Sequence, residues 1–170
     1  MSALPAIVVM GVAGCGKSTA GARIAAELGV AFIEGDRVHP ANNIEKMSAG
    51  IPLSDDDRRP WLEAIGKEIG RYFAEGKGVV AACSALKRAY RDILRGTSGA
   101  DVLFVHLSGS RELISERMKD RTGHFFPATL LDSQFAALEP PGADERHIVA
   151  DLRLPLEEMI AQVMRDIDAP

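Results

Sequence analysis

The chain has 170 residues, 46% of them hydrophobic and 26% charged, with a net charge of −4. That length fits one domain over residues 1–170, able to bury roughly 70% of its unfolded surface without a disulfide or metal staple. The acidic balance argues against a nucleic-acid or membrane-surface binder driven by bulk positive charge, and no apolar run approaches the ~20 residues of a bilayer span. The opening Met-Ser-Ala-Leu-Pro carries no basic leader region. Cys15 and Cys83 make neither a disulfide framework nor a zinc pattern, so a reduced, cytoplasmic setting is expected.

In chain order, the first strand is predicted at residues 6–10 and a helix at 17–28, where Ala20, Ile24 and Leu28 recur at four-residue spacing. A strand at 31–34 follows. A helix at 60–73 carries Trp61, Ile65, Ile69 and Tyr72 on one stripe, with Pro60 placed in its first turn. Strands at 79–83, 102–107 and 147–150 alternate with helices at 85–95, 111–121 (capped by Ser110) and 155–167. The strand candidates are mostly continuously apolar, as in strands covered on both faces. The expected fold is therefore α/β: a parallel sheet of about five strands with helices on both faces and right-handed crossovers. Ligands of such sheets bind at the carboxyl ends of the strands.

Directly after the first strand comes Gly11-Val12-Ala13-Gly14-Cys15-Gly16-Lys17-Ser18, followed by Thr19. This is the phosphate-loop pattern G-x-x-x-x-G-K-[ST]. Its glycines let successive backbone N–H groups face a polyphosphate, and the following helix adds its dipole. Lys17 is expected to reach the β- and γ-phosphates of ATP, and the Ser18 hydroxyl to ligate Mg²⁺. No N-K-x-D guanine motif is present, and the strand ending Cys83-Ser84 lacks the terminal Asp of motor ATPases. A compact small-molecule kinase remains, in which catalysis is positioning plus charge stabilisation.

Arg117 and Arg121 lie four apart on one predicted helix, as do Lys87 and Arg91 on another. Such like-charge pairs repel by a few tenths of a kcal/mol, which fits either an anion held between them or a solvated face. Gly123 and Pro127 bracket a segment suited to a mobile lid. Glu34-Gly35-Asp36 ends the second strand at the expected site edge. Asp36 suits a substrate hydroxyl and Glu34 a Mg²⁺-bound water, although both are also ordinary turn residues. Asp55 to Asp57 fit a helix N-terminus by capping and dipole, and Trp61 fits the core. His106 reads as a packed core histidine, and His147 has no assigned role. Cys15, at a helix N-terminus beside Lys17, is either a reactive thiol or a small side chain chosen for fit.

Longer blocks extend the pattern. They include Gly35-Asp-Arg-Val-His-Pro40, Asn43-Ile-Glu-Lys-Met47, Gly50-Ile-Pro-Leu53 and Asp57-Arg-Arg-Pro-Trp-Leu62. They continue in Cys83-Ser-Ala-Leu-Lys87 with Tyr90-Arg91, Arg121-Thr-Gly-His-Phe125, Ser133-Gln-Phe135 and Pro141-Gly-Ala-Asp-Glu-Arg146. In these blocks the chain resembles the thermoresistant-type gluconokinases, relatives of shikimate and nucleoside-monophosphate kinases. The resemblance implies ATP-dependent phosphorylation of D-gluconate at its 6-hydroxyl, with Mg²⁺ and a homodimer. It implies Asp36 beside the attacking hydroxyl, and His39, Lys46, Arg58, Lys87 and Arg91 as binders of the polyol and its carboxylate. It further implies Arg117 and Arg121 on the phosphates with His124 nearby, and the 151–155 loop near adenine. A helical substrate-binding insertion at about 36–75 and a lid at about 117–139 complete the expectation. Two alternatives stand beside it: another small-molecule kinase such as a shikimate kinase, and a non-catalytic ATP-binding regulatory module.

Overall fold

A computed structural model of the chain describes residues 5–119 and 128–168. Five strands, β1 (Ala6–Met10), β2 (Ala31–Glu34), β3 (Val79–Ala82), β4 (Leu103–Ser108) and β5 (His147–Asp151), form one parallel sheet in the order β2-β3-β1-β4-β5. The helices are α1 (Lys17–Leu28), α2 (Ala41–Ser48), α3 (Asp55–Ala74), α4 (Arg88–Ser98), α5 (Arg111–Lys119), α6 (Ala128–Ala137) and α7 (Leu156–Asp168). A short 3-10 turn covers Gly35–Val38.

β1 is buried along its whole length, and its side chains divide the core. Ile7 and Val9 pack on one face with Ile24 of α1 and Ile160 and Val163 of α7. Val8 and Met10 pack on the other with Leu62, Ile65 and Ile69 of α3 and Leu94 of α4. Alternation within a continuously apolar strand is what burial on both faces requires. β1 sits between β3 and β4, so the segment leaving its carboxyl end opens into the crevice where strand order reverses.

α3 begins before the predicted residue 60. Ser54 accepts from the Asp57 backbone N–H while the Asp57 carboxylate accepts from the Ser54 N–H, which makes a capping box. Three aspartates in the first turn complement the dipole. Pro60 therefore lies inside the helix rather than in its first turn. An interior Pro costs a helix about 3 kcal/mol in general. The first turn is held by partners outside the helix, Lys46 on Asp57 and Lys87 on Asp55. The 85–95 helix starts later than predicted, at Arg88, because Ala85 takes a left-handed φ of 45° that no helix accommodates. Ser110 caps α5 as expected, its Oγ accepting from the Leu113 N–H.

Arg91 corrects the sequence expectation. It is fully buried behind the β3–α4 segment rather than open to a substrate. Its Nε and Nη2 donate to Glu145 at 2.8 and 3.1 Å, and its Nη1 donates to the carbonyls of Ala85 and Leu86. Arg95 adds a second guanidinium on Glu145. These donors hold the Glu145 carboxyl down at about 2, below its ordinary value of 4.5. Lys87 and Arg91 thus share no anion; each has its own carboxylate. His106 is the packed core histidine expected, its pKa lowered by burial.

Removing one member of a buried ion pair strands the other. Glu145→Gln is expected to lower unfolding free energy by about 3–5 kcal/mol in urea titrations. Because the folded pKa is depressed, the wild-type advantage is complete above about pH 4.5 and is lost as pH falls through about 2. The variant should therefore show a shallower loss of stability across that interval.

Candidate active site

A cleft of about 710 Å³ opens at the carboxyl end of β1, within the size range of small-molecule sites. Its floor is the phosphate loop. Gly14 and Gly16 take φ of 81° and 92°, which L-residues rarely adopt, so the loop curls before α1 begins at Lys17. Lys17 Nζ donates to the Val12 carbonyl at 3.1 Å, and Ser18 and Thr19 line the cleft. Val12 and Cys15 turn their side chains into the core and offer only backbone. Gly11 N–H donates to the Ser84 carbonyl at 3.2 Å, tying the loop to the end of β3.

The opposite wall comes from the 3-10 turn and α3. Asp36, His39, Arg58 and Trp61 all line the cleft. Gly35 makes this turn possible, since a Cβ there would stand 2.2 Å from the Ala82 carbonyl oxygen. Trp61 donates its indole N–H to the Gly35 carbonyl at 2.8 Å and stacks on His39, with ring centroids 4.1 Å apart. Trp61 is thus core, as predicted, and wall at once. Burial, reinforced by Arg58, lowers the His39 pKa against the opposing pull of Asp36.

Arg58 donates to the Tyr90 hydroxyl at 3.1 Å, and that hydroxyl donates to Asp55, which also pairs with Lys87. Burial raises the Tyr90 pKa and the Asp55 bond adds to it, so the phenol stays protonated. The Tyr90 hydrogen bond first, then Lys87, holds the Asp55 carboxyl below its usual range. Lys46 donates to both oxygens of Asp57 at 2.8 and 2.9 Å and lowers that carboxyl to about 2.

The structure thus brings Lys17, Ser18, Asp36, His39 and Arg58 to one cleft. It engages Lys46 and Lys87 with α3 aspartates outside the cleft lining. Glu34 ends β2 half-buried and away from that lining, where Asp36 is the only carboxylate among the described residues. Arg117 donates to the Leu152 carbonyl, tying α5 to the loop after β5 instead of reaching the cleft. Arg121, His124 and residues 120–127 of the expected lid lie outside the described residues. Sequence reasoning assigned no role to Tyr90 or Gln134. Tyr90 sits on the apolar stripe of its helix, which hides a polar tip facing the cleft. Gln134 of α6 accepts from the Ala13 N–H at 3.0 Å and carries no spacing signal at all.

A phosphate loop between a central parallel strand and a helix, facing a wall with a carboxylate and an arginine, defines a P-loop kinase. Residues 7–141 match a family profile described as an AAA domain. A probable gluconokinase of Xenopus tropicalis is 45% identical, covering 95% of this chain and 93% of that protein. The thermoresistant gluconokinase of Escherichia coli K12 is 44% identical over 94% of this chain and 91% of its own. The crystal structure of a gluconokinase from Sinorhizobium meliloti 1021 superposes with a TM-score of 0.85 at 46% identity, covering 98% of this chain and 97% of that one. The chain belongs to the gluconokinase family of P-loop kinases.

The geometry also revises the thiol expectation. Cys15 is 2% and Cys83 1% exposed, and burial pushes the Cys83 thiol up to about 12. Neither is open to a reagent, despite the position of Cys15 at a helix N-terminus. Ellman's reagent should titrate both thiols promptly in denaturant and neither in the native protein over the same interval.

Proposed function

We propose that this chain transfers the γ-phosphoryl group of ATP to the 6-hydroxyl of D-gluconate, giving 6-phosphogluconate and ADP. The observation that carries this reading is the single cleft joining the phosphate loop to Asp36, His39 and Arg58. The polyphosphate takes the loop N–H groups and Lys17, in exchange for the Val12 carbonyl that Lys17 now holds. Asp36 receives or orients the attacking hydroxyl. Arg58, steadied by the Tyr90 hydroxyl, pairs with the gluconate carboxylate. His39 bonds a hydroxyl. Buried hydroxyls need such partners, which a slot for a nucleobase would not supply.

Mg²⁺ fits the residues present. Ser18 and Asp36 supply oxygen donors, and the ion is ordinarily completed by substrate phosphates and waters rather than by a protein cage. When bound, the ion neutralises charge on the transferred group. Arg117, which donates to the Leu152 carbonyl, is read from the family likeness as a phosphate-binding residue together with Arg121, with His124 nearby. Lys46 and Lys87 serve the acceptor side indirectly, by holding the first turn of α3 that carries Arg58. The family likeness brings with it a homodimer and a cytoplasmic setting, and no helix among the described residues is long and apolar enough to cross a membrane.

A coupled assay of ADP release with Mg-ATP tests the reading against D-gluconate, shikimate and nucleoside monophosphates. Activity with gluconate alone is expected. Turnover of another acceptor keeps the phosphate site and overturns the substrate, and ATP binding without turnover of any acceptor marks a regulatory module. Lys17→Ala should lower kcat about 10²–10³-fold through lost charge stabilisation. Arg58→Ala should act mainly through the KM for gluconate, raising it about tenfold or more with the KM for ATP little changed.

A further inference from the structure

Asn43 of α2 is fully buried and stands behind His39 rather than on the cleft wall. Its Nδ2 lies 2.8 Å from the backbone carbonyl oxygen of Asp57 and 3.3 Å from His39 Nδ1. A carbonyl oxygen only accepts, so the end of the amide that faces Asp57 is its nitrogen. That nitrogen carries two hydrogens. One is given to Asp57, and His39 Nδ1, 3.3 Å away, is the acceptor within reach of the other. A ring nitrogen that accepts a hydrogen bond carries no proton, so the proton of the neutral ring sits on Nε2.

The other contacts of the ring agree. Trp61 stacks on it with an interplanar angle of 13°, and Trp61 is itself pinned through the Gly35 carbonyl. Ring plane and edge are therefore both set. Burial and Arg58 favour the neutral imidazole, against Asp36. The arrangement also leaves Asn43 Oδ1 buried with no partner among the described residues. An unpaired buried acceptor is costly, and an apolar residue of similar size would avoid that cost. What the asparagine supplies in return is the direction of its two N–H bonds.

We propose that Asn43 is a positioning residue that holds His39 as the neutral Nε2–H tautomer, presenting a hydrogen-bond donor to an oxygen of the acceptor in the cleft. This deepens the gluconate reading, on which it depends only for the identity of that oxygen. A neutral donor complements Asp36, which accepts, and adds no second positive charge beside Arg58.

Nitrogen-15 NMR of the unliganded full-length protein at neutral pH tests the tautomer without any substrate, with His39 assigned by its loss in His39→Gln. The expected spectrum shows a pyridine-like Nδ1 and a pyrrole-like Nε2. A pyrrole-like Nδ1, or an imidazolium, overturns the proposal. Asn43→Asp replaces the donor with an acceptor. It should draw the ring proton to Nδ1, turning Nε2 from donor to acceptor, and lower kcat/KM for gluconate about tenfold or more while the KM for ATP stays within about twofold. A tautomer that switches with gluconate kinetics unchanged overturns the role toward the acceptor. If Asn43→Asp does not fold, the wild-type spectrum still decides the tautomer. If the protein turns over a different acceptor with the tautomer as expected, the gluconate reading fails and the role of Asn43 stands.

Discussion

The guanidinium of Arg91 is removed from water, and four acceptors compensate it: both oxygens of Glu145 and the carbonyls of Ala85 and Leu86. Those two carbonyls belong to the segment that leaves β3, where Ala85 is forced to a positive φ. A left-handed alanine costs roughly 1–2 kcal/mol, so it persists only where its surroundings fix it. Here the buried charge fixes it. The kink places Ser84 and Leu86 on the cleft wall, and the Ser84 carbonyl receives the first N–H of the phosphate loop. The Leu86 carbonyl also accepts from the Glu139 N–H, while the Glu139 carboxylate accepts from the Arg88 N–H at the start of α4. One internal anchor therefore ties the phosphate loop, the acceptor wall and the chain returning from α6.

Electrostatic pairing shapes the cleft by subtraction. The chain places several cations near the acceptor side, and most are matched to fixed carboxylates: Lys46 to Asp57, Lys87 to Asp55, and Arg91 and Arg95 to Glu145. Among the described wall residues, Lys17 and Arg58 are the cations that face the cleft. One stands at the phosphate end and the other at the acceptor end. On the proposed reading two anionic substrates meet separate positive charges, and Asp36 is the acceptor a hydroxyl would need. The paired lysines are structural in effect, since they hold down the first turn of α3, which carries Arg58 into place.

The strands and α1 were legible because their signal is local. Residues 6–10 and 17–28 match the predicted ranges because an apolar run of strand length, a glycine turn and a four-residue apolar spacing act through neighbours in the chain. The phosphate loop was legible for the same reason. α2 gave no strong stripe; its buried residue is Asn43, a polar side chain that periodicity cannot flag. For α3 the sequence offered two signals, Pro60 as a first-turn residue and Asp55 to Asp57 as a helix N-terminus, and the Ser54–Asp57 box with the lysine partners decides for the second.

The sequence by itself determined the parallel α/β frame, the phosphate loop and, through its longer blocks, the kinase family. These depend on residue order within short stretches, where spacing and backbone geometry are coupled directly. Only the tertiary structure decided which charged and polar side chains face the cleft. Arg91 and Arg58 look equivalent in a sequence, but one is drawn inward by Glu145, 54 residues away. The other is steadied on the wall by Tyr90, 32 residues away. Likewise His39 acquires a defined tautomer only because α2 and the first turn of α3 bring Asn43 and the Asp57 carbonyl together behind it. Such outcomes follow from competition among distant partners for each charge and hydrogen bond, and that competition is settled only when the chain has packed.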